Sequence, residues 1–109
     1  AAFNRKDAIA AGTAFADDVV RTIAGNSAIS GTFTGKAEIM QMWALLGEFV
    51  TEPRIFAADH DHVVVIAVNS ANGVRWDAAD VYTFENGKIK SFTTIEDPAA
   101  VERAYPRIA

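Results

Sequence analysis

One carboxylate in this chain stands where burial would tune it for proton transfer. Val74 to Phe84 reads VRWDAADVYTF and alternates in polarity as a strand does. Successive strand side chains point to opposite faces, so Val74, Trp76, Ala78, Asp80, Tyr82 and Phe84 lie together on the buried side. In that company Asp80 must be hydrogen-bonded, keep its proton or face a cavity, because an unpaired buried charge is too costly. A carboxyl moved toward neutrality is what general acid–base catalysis requires. Asp80 is therefore the candidate catalytic residue. Tyr82 follows roughly 6–7 Å along the same face and is a candidate ligand contact, as is Trp76. The alternative is structural: a carboxylic acid bonded to Thr93 or Tyr82, with Tyr82 and Trp76 closing the core.

Arg21 shares parity with Val19 and Ile23, so it can point inward, where it could pair with Asp80 or receive an anionic ligand. Its alternative is an exposed strand end. Trp43, with Met40 or Met42, lies on the longest predicted helix and either lines a pocket or fills the core. The run Asp59-His60-Asp61-His62 has metal-ligand residue types, but it falls between two strands where a turn is needed. Zinc and iron sites need three or four converging groups, and no third cluster is present. It reads as a turn. Gly31-x-x-x-Gly35 lacks the Lys-Ser/Thr ending of a phosphate loop, and no nucleophile elbow occurs. Neither metal nor cofactor is expected.

These residues need elements to hold them. Ala1 to Lys6 reads as the tail of a helix. Asp7 can cap a second helix from Ala8 to about Asp17, anchored by Ile9 and Phe15. Val19 to Ile23 is a short β-branched strand, and Gly25 to Gly35 a loop rich in Gly, Ser, Asn and Thr. Thr34 is a plausible cap for a helix from Lys36 to about Phe49, with Ile39, Met42, Trp43 and Leu46 as its apolar stripe. Three longer strands follow. Val50 to Ala58 carries Pro53, which marks an edge or a bulge. His62 to Asn69 is apolar on both parities, as in a strand covered on both sides. The third is Val74 to Glu85. Asn86-Gly87 then signals a type I′ hairpin. A regular ladder from that turn sets Glu85 opposite Lys88, Phe84 opposite Ile89, Tyr82 opposite Ser91 and Asp80 opposite Thr93. It also sets Val81 beside Phe92 on the outer face, with Ala79 and Thr94 adjacent, an apolar patch suited to a two-fold dimer. Asp97-Pro98 opens a last helix to Tyr105. Helices first and antiparallel strands later predict an α+β domain with helices on one side of a curved sheet.

The chain has 109 residues, half of them hydrophobic, with net charge −4 and sequence pI near 5.0. That suits one compact domain over residues 1–109. The ten Lys and Arg are scattered, which argues against duplex nucleic acid and acidic membranes as partners. There is no cysteine, hence no disulfide framework or thiolate site. No apolar run approaches the roughly 20 residues of a membrane-spanning helix, and no signal peptide is evident. A soluble, cytoplasmic protein is the expectation.

Several blocks in order resemble a known family. Asn4-Arg5-Lys6-Asp7 and Phe15-Ala16-Asp17-Asp18-Val19 are similar to the first third of SnoaL-like polyketide cyclases and ketosteroid isomerases. Ser30-Gly31-Thr32-Phe33 and Gly35-Lys36, before a helix with Ile39 and Trp43, match the next block. Asp59 to Val65, Asn86-Gly87-Lys88-Ile89 and Asp97-Pro98 complete it. Each motif is weak alone, but together they are specific. The resemblance implies the nuclear transport factor 2-like (cystatin-like) fold, a cone whose curved sheet wraps N-terminal helices around one pocket, usually as a homodimer. The family's first helix is largely missing here. The resemblance puts Asp80 where ketosteroid isomerases hold the neutral carboxylic acid of their oxyanion hole, a carboxyl kept protonated by an apolar site. It puts Ile23 where their catalytic base falls, and Ile23 takes no proton, so that isomerase mechanism is not expected. What it implies is a small-molecule pocket lined by Tyr82, Trp76, Trp43, Arg21, Ile23 and Met40. The protein is then a cofactor-free isomerase, cyclase or lyase acting through Asp80, a non-catalytic binding module, or a dimeric interaction domain.

Overall fold

The computed structural model describes residues 15–107. The predicted helical stretches over 1–6 and 8–14 lie outside the described residues. Strand β1 is Phe15–Ile23, followed by the short β2, Gly31–Thr34, and helix α1, Gly35–Ala44. Strands β3 (Val50–Ala58), β4 (His62–Ala71), β5 (Val74–Glu85) and β6 (Lys88–Glu96) come next, and helix α2 (Pro98–Ala104) closes the chain. The six strands form one mixed sheet in the order β2-β1-β6-β5-β4-β3, with β1 parallel to β6 and every other pair antiparallel. The fold is α+β, a curved open sheet with the helices against its inner face.

Asp97 caps α2 by accepting the Ala99 N–H at 3.0 Å, with Pro98 in the first turn where its missing N–H costs nothing. Thr34 precedes α1, but its hydroxyl makes no cap. Glu38, in the first turn, instead accepts the Thr34 N–H at 2.9 Å. The helix ends at Ala44, five residues before the predicted Phe49. Gly47 sits at φ +61, and this left-handed turn redirects Leu46 and Phe49 against the core.

Two further expectations are corrected. Phe15 to Asp17 belong to a strand, because Phe15 pairs with Ile89 of β6 and stacks on Phe92 with ring centroids 5.4 Å apart. The predicted loop from Gly25 to Gly35 contains β2, whose Phe33 pairs with Arg21.

The hairpin register is the most consequential correction. Asn86 and Gly87 take φ +52 and +76, as a type I′ turn needs, and Glu85 faces Lys88 and Phe84 faces Ile89. A bulge then leaves Lys90 without a ladder partner, and Thr83 faces Ser91. From there every pair is shifted by one: Tyr82 faces Phe92, Val81 faces Thr93, and Asp80 faces Thr94. A one-residue slip exchanges the faces of a strand. Phe92, expected on the outside, is 1% exposed and packs with Phe15, Val19, Ile39 and Tyr82. Ile89 also packs against this cluster, which a regular strand could not allow together with Phe92. The gain of two inward apolar side chains explains the bulge.

Candidate functional site

The inner face of β5 is as the alternation predicts: Trp76, Ala78, Asp80 and Tyr82 are buried, while Arg75, Asp77 and Glu85 are exposed. Alanines occupy neighbouring inner positions, with Ala78 facing Ala67 of β4 on one side and Glu96 of β6 on the other. Small side chains there leave the sheet floor low. Around it lies a cavity lined by Arg21, Ile23, Trp43, Asn69, Trp76, Asp80, Thr94 and Glu96, walled by Met42, Leu46 and Phe49. It is narrow: about 30 Å³ admits the centre of a water molecule, while the whole hollow, open mouth included, encloses about 450 Å³.

The Thr94 hydroxyl donates to Asp80 Oδ1 at 2.6 Å. Burial pushes the Asp80 carboxyl above its ordinary range, and the Thr94 bond and the Arg21 charge pull partly back. Glu96 behaves alike. Burial raises it, while the Trp76 Nε1–H, which donates at 2.7 Å, and Arg21 oppose the rise; the nearby Asp80 adds to it. The cavity therefore holds two carboxyls that both resist ionisation.

Arg21 is 8% exposed and points inward. Its guanidinium lies 4.1 Å over the Phe92 ring, a cation–π contact, and forms no ion pair with Asp80 or Glu96. Its Nε and Nη1 are buried without a hydrogen-bond partner among the described residues, as is Asn69 Oδ1. Arginine does not shed its proton at any working pH, so this cation is a fixed feature of the cavity.

Of the residues singled out from sequence, Asp80, Trp76, Trp43, Arg21 and Ile23 come together at this cavity. Two do not. Tyr82 joins the aromatic stack with Phe92, centroids 5.2 Å apart, and lies outside the cavity lining. Met40 is 36% exposed on the far side of α1, and Met42 takes the inward place. Sequence reading missed Asn69, Thr94 and Glu96. Asn69 was visible as a polar residue closing an apolar strand, whereas the unseen bulge put Thr94 on the outer face, and the same parity would carry Glu96 there. Asp59 to His62 form the expected turn, in which Asp59 Oδ1 accepts the N–H groups of Asp61 and His62 at 3.1 and 2.9 Å.

This sheet, with helices closing a cavity against its concave face, defines a nuclear transport factor 2-like fold. The chain belongs to the SnoaL-like domain family, whose model matches residues 1–92. Among solved structures, a nuclear transport factor 2-like protein of unknown function from Burkholderia pseudomallei is 24% identical, with a TM-score of 0.84 over 97% of this chain and 90% of that one. TerC, co-crystallised with polyporic acid, is 24% identical with a TM-score of 0.81 over 94% of this chain and 88% of that one. A putative polyketide cyclase from Sinorhizobium meliloti is 23% identical with a TM-score of 0.74 over 86% of each chain. No protein of curated function matches the chain.

Proposed function

We propose that the cavity takes a small, largely apolar oxygenated molecule and that Asp80 acts on it as acid–base, in a cofactor-free isomerisation, cyclisation or lyase reaction. The observation that carries this reading is a second carboxyl, Glu96, at the same cavity as Asp80 and Arg21. A second carboxyl lets one group take a proton from the substrate while the other donates one. Asp80 and Glu96 sit diagonally across β5 and β6, since Asp80 faces Thr94 two residues before Glu96. Diagonal side chains of this kind are roughly 7–8 Å apart at their bases, a span that one small substrate can bridge. Arg21 supplies one positive charge, which one ionised carboxyl balances, and mutual repulsion then keeps the other protonated. One group is then a base and its partner an acid, a pairing suited to moving a proton between two positions of a substrate. The shared fold with TerC, which was co-crystallised with polyporic acid, and with the putative polyketide cyclase is in keeping with this.

A second reading is capture without turnover. Ile23, apolar and at the cavity, stands where the related isomerases keep their base, and this favours a binder. Deuterium exchange separates the two. Enolisable ring ketones incubated with the protein in D₂O should exchange α-hydrogens faster than in buffer, with the acceleration lost in Asp80→Asn and reduced in Glu96→Gln. Equal exchange in wild type and Asp80→Asn would leave only the binding reading.

The proposal extends to a homodimer through the outer sheet face. With the observed register, Ile55, Ile66, Ala79 and Ile95 form one row across four strands, and Ile55, Ile66 and Ile95 are 56%, 41% and 63% exposed. An apolar row at the centre of a sheet face suits an isologous interface.

A further inference from the structure

We propose that the cavity's occupant is a single-ring acid: an anionic oxygen received by Arg21 at one end, and a hydroxyl donated to Asn69 Oδ1 at the other. This rests on reading the cavity as a small-molecule site, but not on any catalytic role for Asp80.

Buried polar groups in folded proteins are almost always paired, and each exception calls for a reason. Here the exceptions converge. Among the described residues the buried side-chain atoms without partners are Arg21 Nε, Arg21 Nη1 and Asn69 Oδ1, and both residues line the one cavity. They are 8% and 4% exposed. Thr94 and Trp76 spend their donors on Asp80 and Glu96, so the carboxyls are served while the guanidinium is not. A buried guanidinium with free N–H groups calls for an acceptor, and a charged oxygen is the acceptor it binds most strongly. An amide oxygen can only accept, so the group it faces must be a donor.

The cavity sets the ligand's size. Arg21 is on β1 and Asn69 on β4, with β6 and β5 between them. Arg21 lies in the row of Phe92 and Tyr82, and Asn69 in that of Trp76, six residues away along β5, so the two groups reach the cavity from opposite ends. The narrow enclosed space, about 30 Å³, suits one ring with substituents at opposite ends. The walls suit a ring as well, since Trp43, Leu46, Phe49 and Trp76 are apolar.

A carboxylate and an ionised phenol or enol present the same charged oxygen, so the test carries both. Calorimetric titration near neutral pH compares 4-hydroxybenzoate, its methyl ester, benzoate and ionised 4-nitrophenol. The acid should bind at least about tenfold more tightly than the ester, the loss expected when a charge-assisted bond to a buried cation goes. Benzoate should be weaker than 4-hydroxybenzoate by about fivefold in wild type and equal to it in Asn69→Leu. Comparable binding of 4-nitrophenolate would extend the class to ionised phenols, and its failure would restrict it to carboxylates. Arg21→Met should abolish the preference for the acid over the ester, and Arg21→Lys should retain a reduced one should the methionine variant not fold. An ester that binds as well as the acid, or no binding of any acid at millimolar concentration, overturns the inference. Tight binding of neutral ring compounds would do so while leaving the proposed site in place, whereas acid binding without deuterium exchange would spare this inference and remove the catalytic one.

Discussion

Asp80 and Glu96 are held by different donors, a hydroxyl and an indole N–H, yet burial moves both toward their protonated forms. For an acid whose folded pKa lies above its unfolded value, the folded state binds more protons between the two values. Stability then falls as pH rises from the unfolded value of about 3.9 through the raised folded value. Removing the ionisable group removes that loss. Asp80→Asn should accordingly leave the protein as stable as wild type or more stable near pH 7, with the melting-temperature advantage shrinking as pH is lowered toward 4. A clear loss of stability near pH 7, unchanged on acidification, would point instead to a charged Asp80 that the fold depends on. At this scale the sequence was informative where a strand is regular. Of the two alternatives left open for Arg21 the inward one holds, and Asp80 and Trp76 were placed on the inner face because parity alone decides their side. Thr94 and Glu96 were not, because a single bulged residue, Lys90, reverses the parity of all that follows and leaves no composition signal of its own.

At the scale of elements, the cavity depends on the segment after α1. Tyr105, just past α2, donates its hydroxyl to the Leu46 carbonyl, and burial pushes that phenol up to about 12, so it remains a donor across the working range. This one bond ties the C-terminal helix to the loop that carries Leu46 and Phe49. Tyr105→Phe should cost about 1 kcal/mol in denaturant unfolding and speed amide exchange at Gly47 and Phe49. Unchanged exchange there would mean that packing alone holds the loop. The hairpin gives a second prediction. Gly87 sits at φ +76 with open space around a would-be side chain, so Gly87→Ala should cost only the backbone penalty, about 1–2 kcal/mol. The Asn86-Gly87 pair was legible because only a few residue types reach that conformation. The early end of α1 was not, since Leu46 continues the apolar stripe that signals a helix while Gly47 alone breaks it.

For the whole molecule, the corrected register moves the outer apolar patch from Val81 and Phe92 to the row Ile55, Ile66, Ala79 and Ile95. The two placements predict opposite outcomes for two variants. Ile95→Glu should give folded monomers in sedimentation, because the charge enters the interface and leaves the core intact. Phe92→Glu should lose its native near-ultraviolet signal, because it buries a charge among Phe15, Tyr82 and Ile39. A folded, monomeric Phe92→Glu would restore the original patch. Wild type already monomeric at tens of micromolar would end the dimer reading. The fold as a whole was readable from the order of its motifs, since helix signals precede three longer strands and one hairpin turn. The strand β2 was not, because four residues of Gly, Thr and Phe look the same in a loop.

The account stands on Asp80 being a proton-holding acid at a cavity rather than a structural carboxylate. Carbon-detected NMR of the Asp80 side-chain carboxyl, followed from pH 3 to 9, measures this directly. The expected midpoint lies above the unperturbed value of about 3.9 and rises further in Arg21→Met, where the opposing positive charge is gone. A midpoint at or below that value would contradict the account, because a carboxyl ionised throughout has no proton to give.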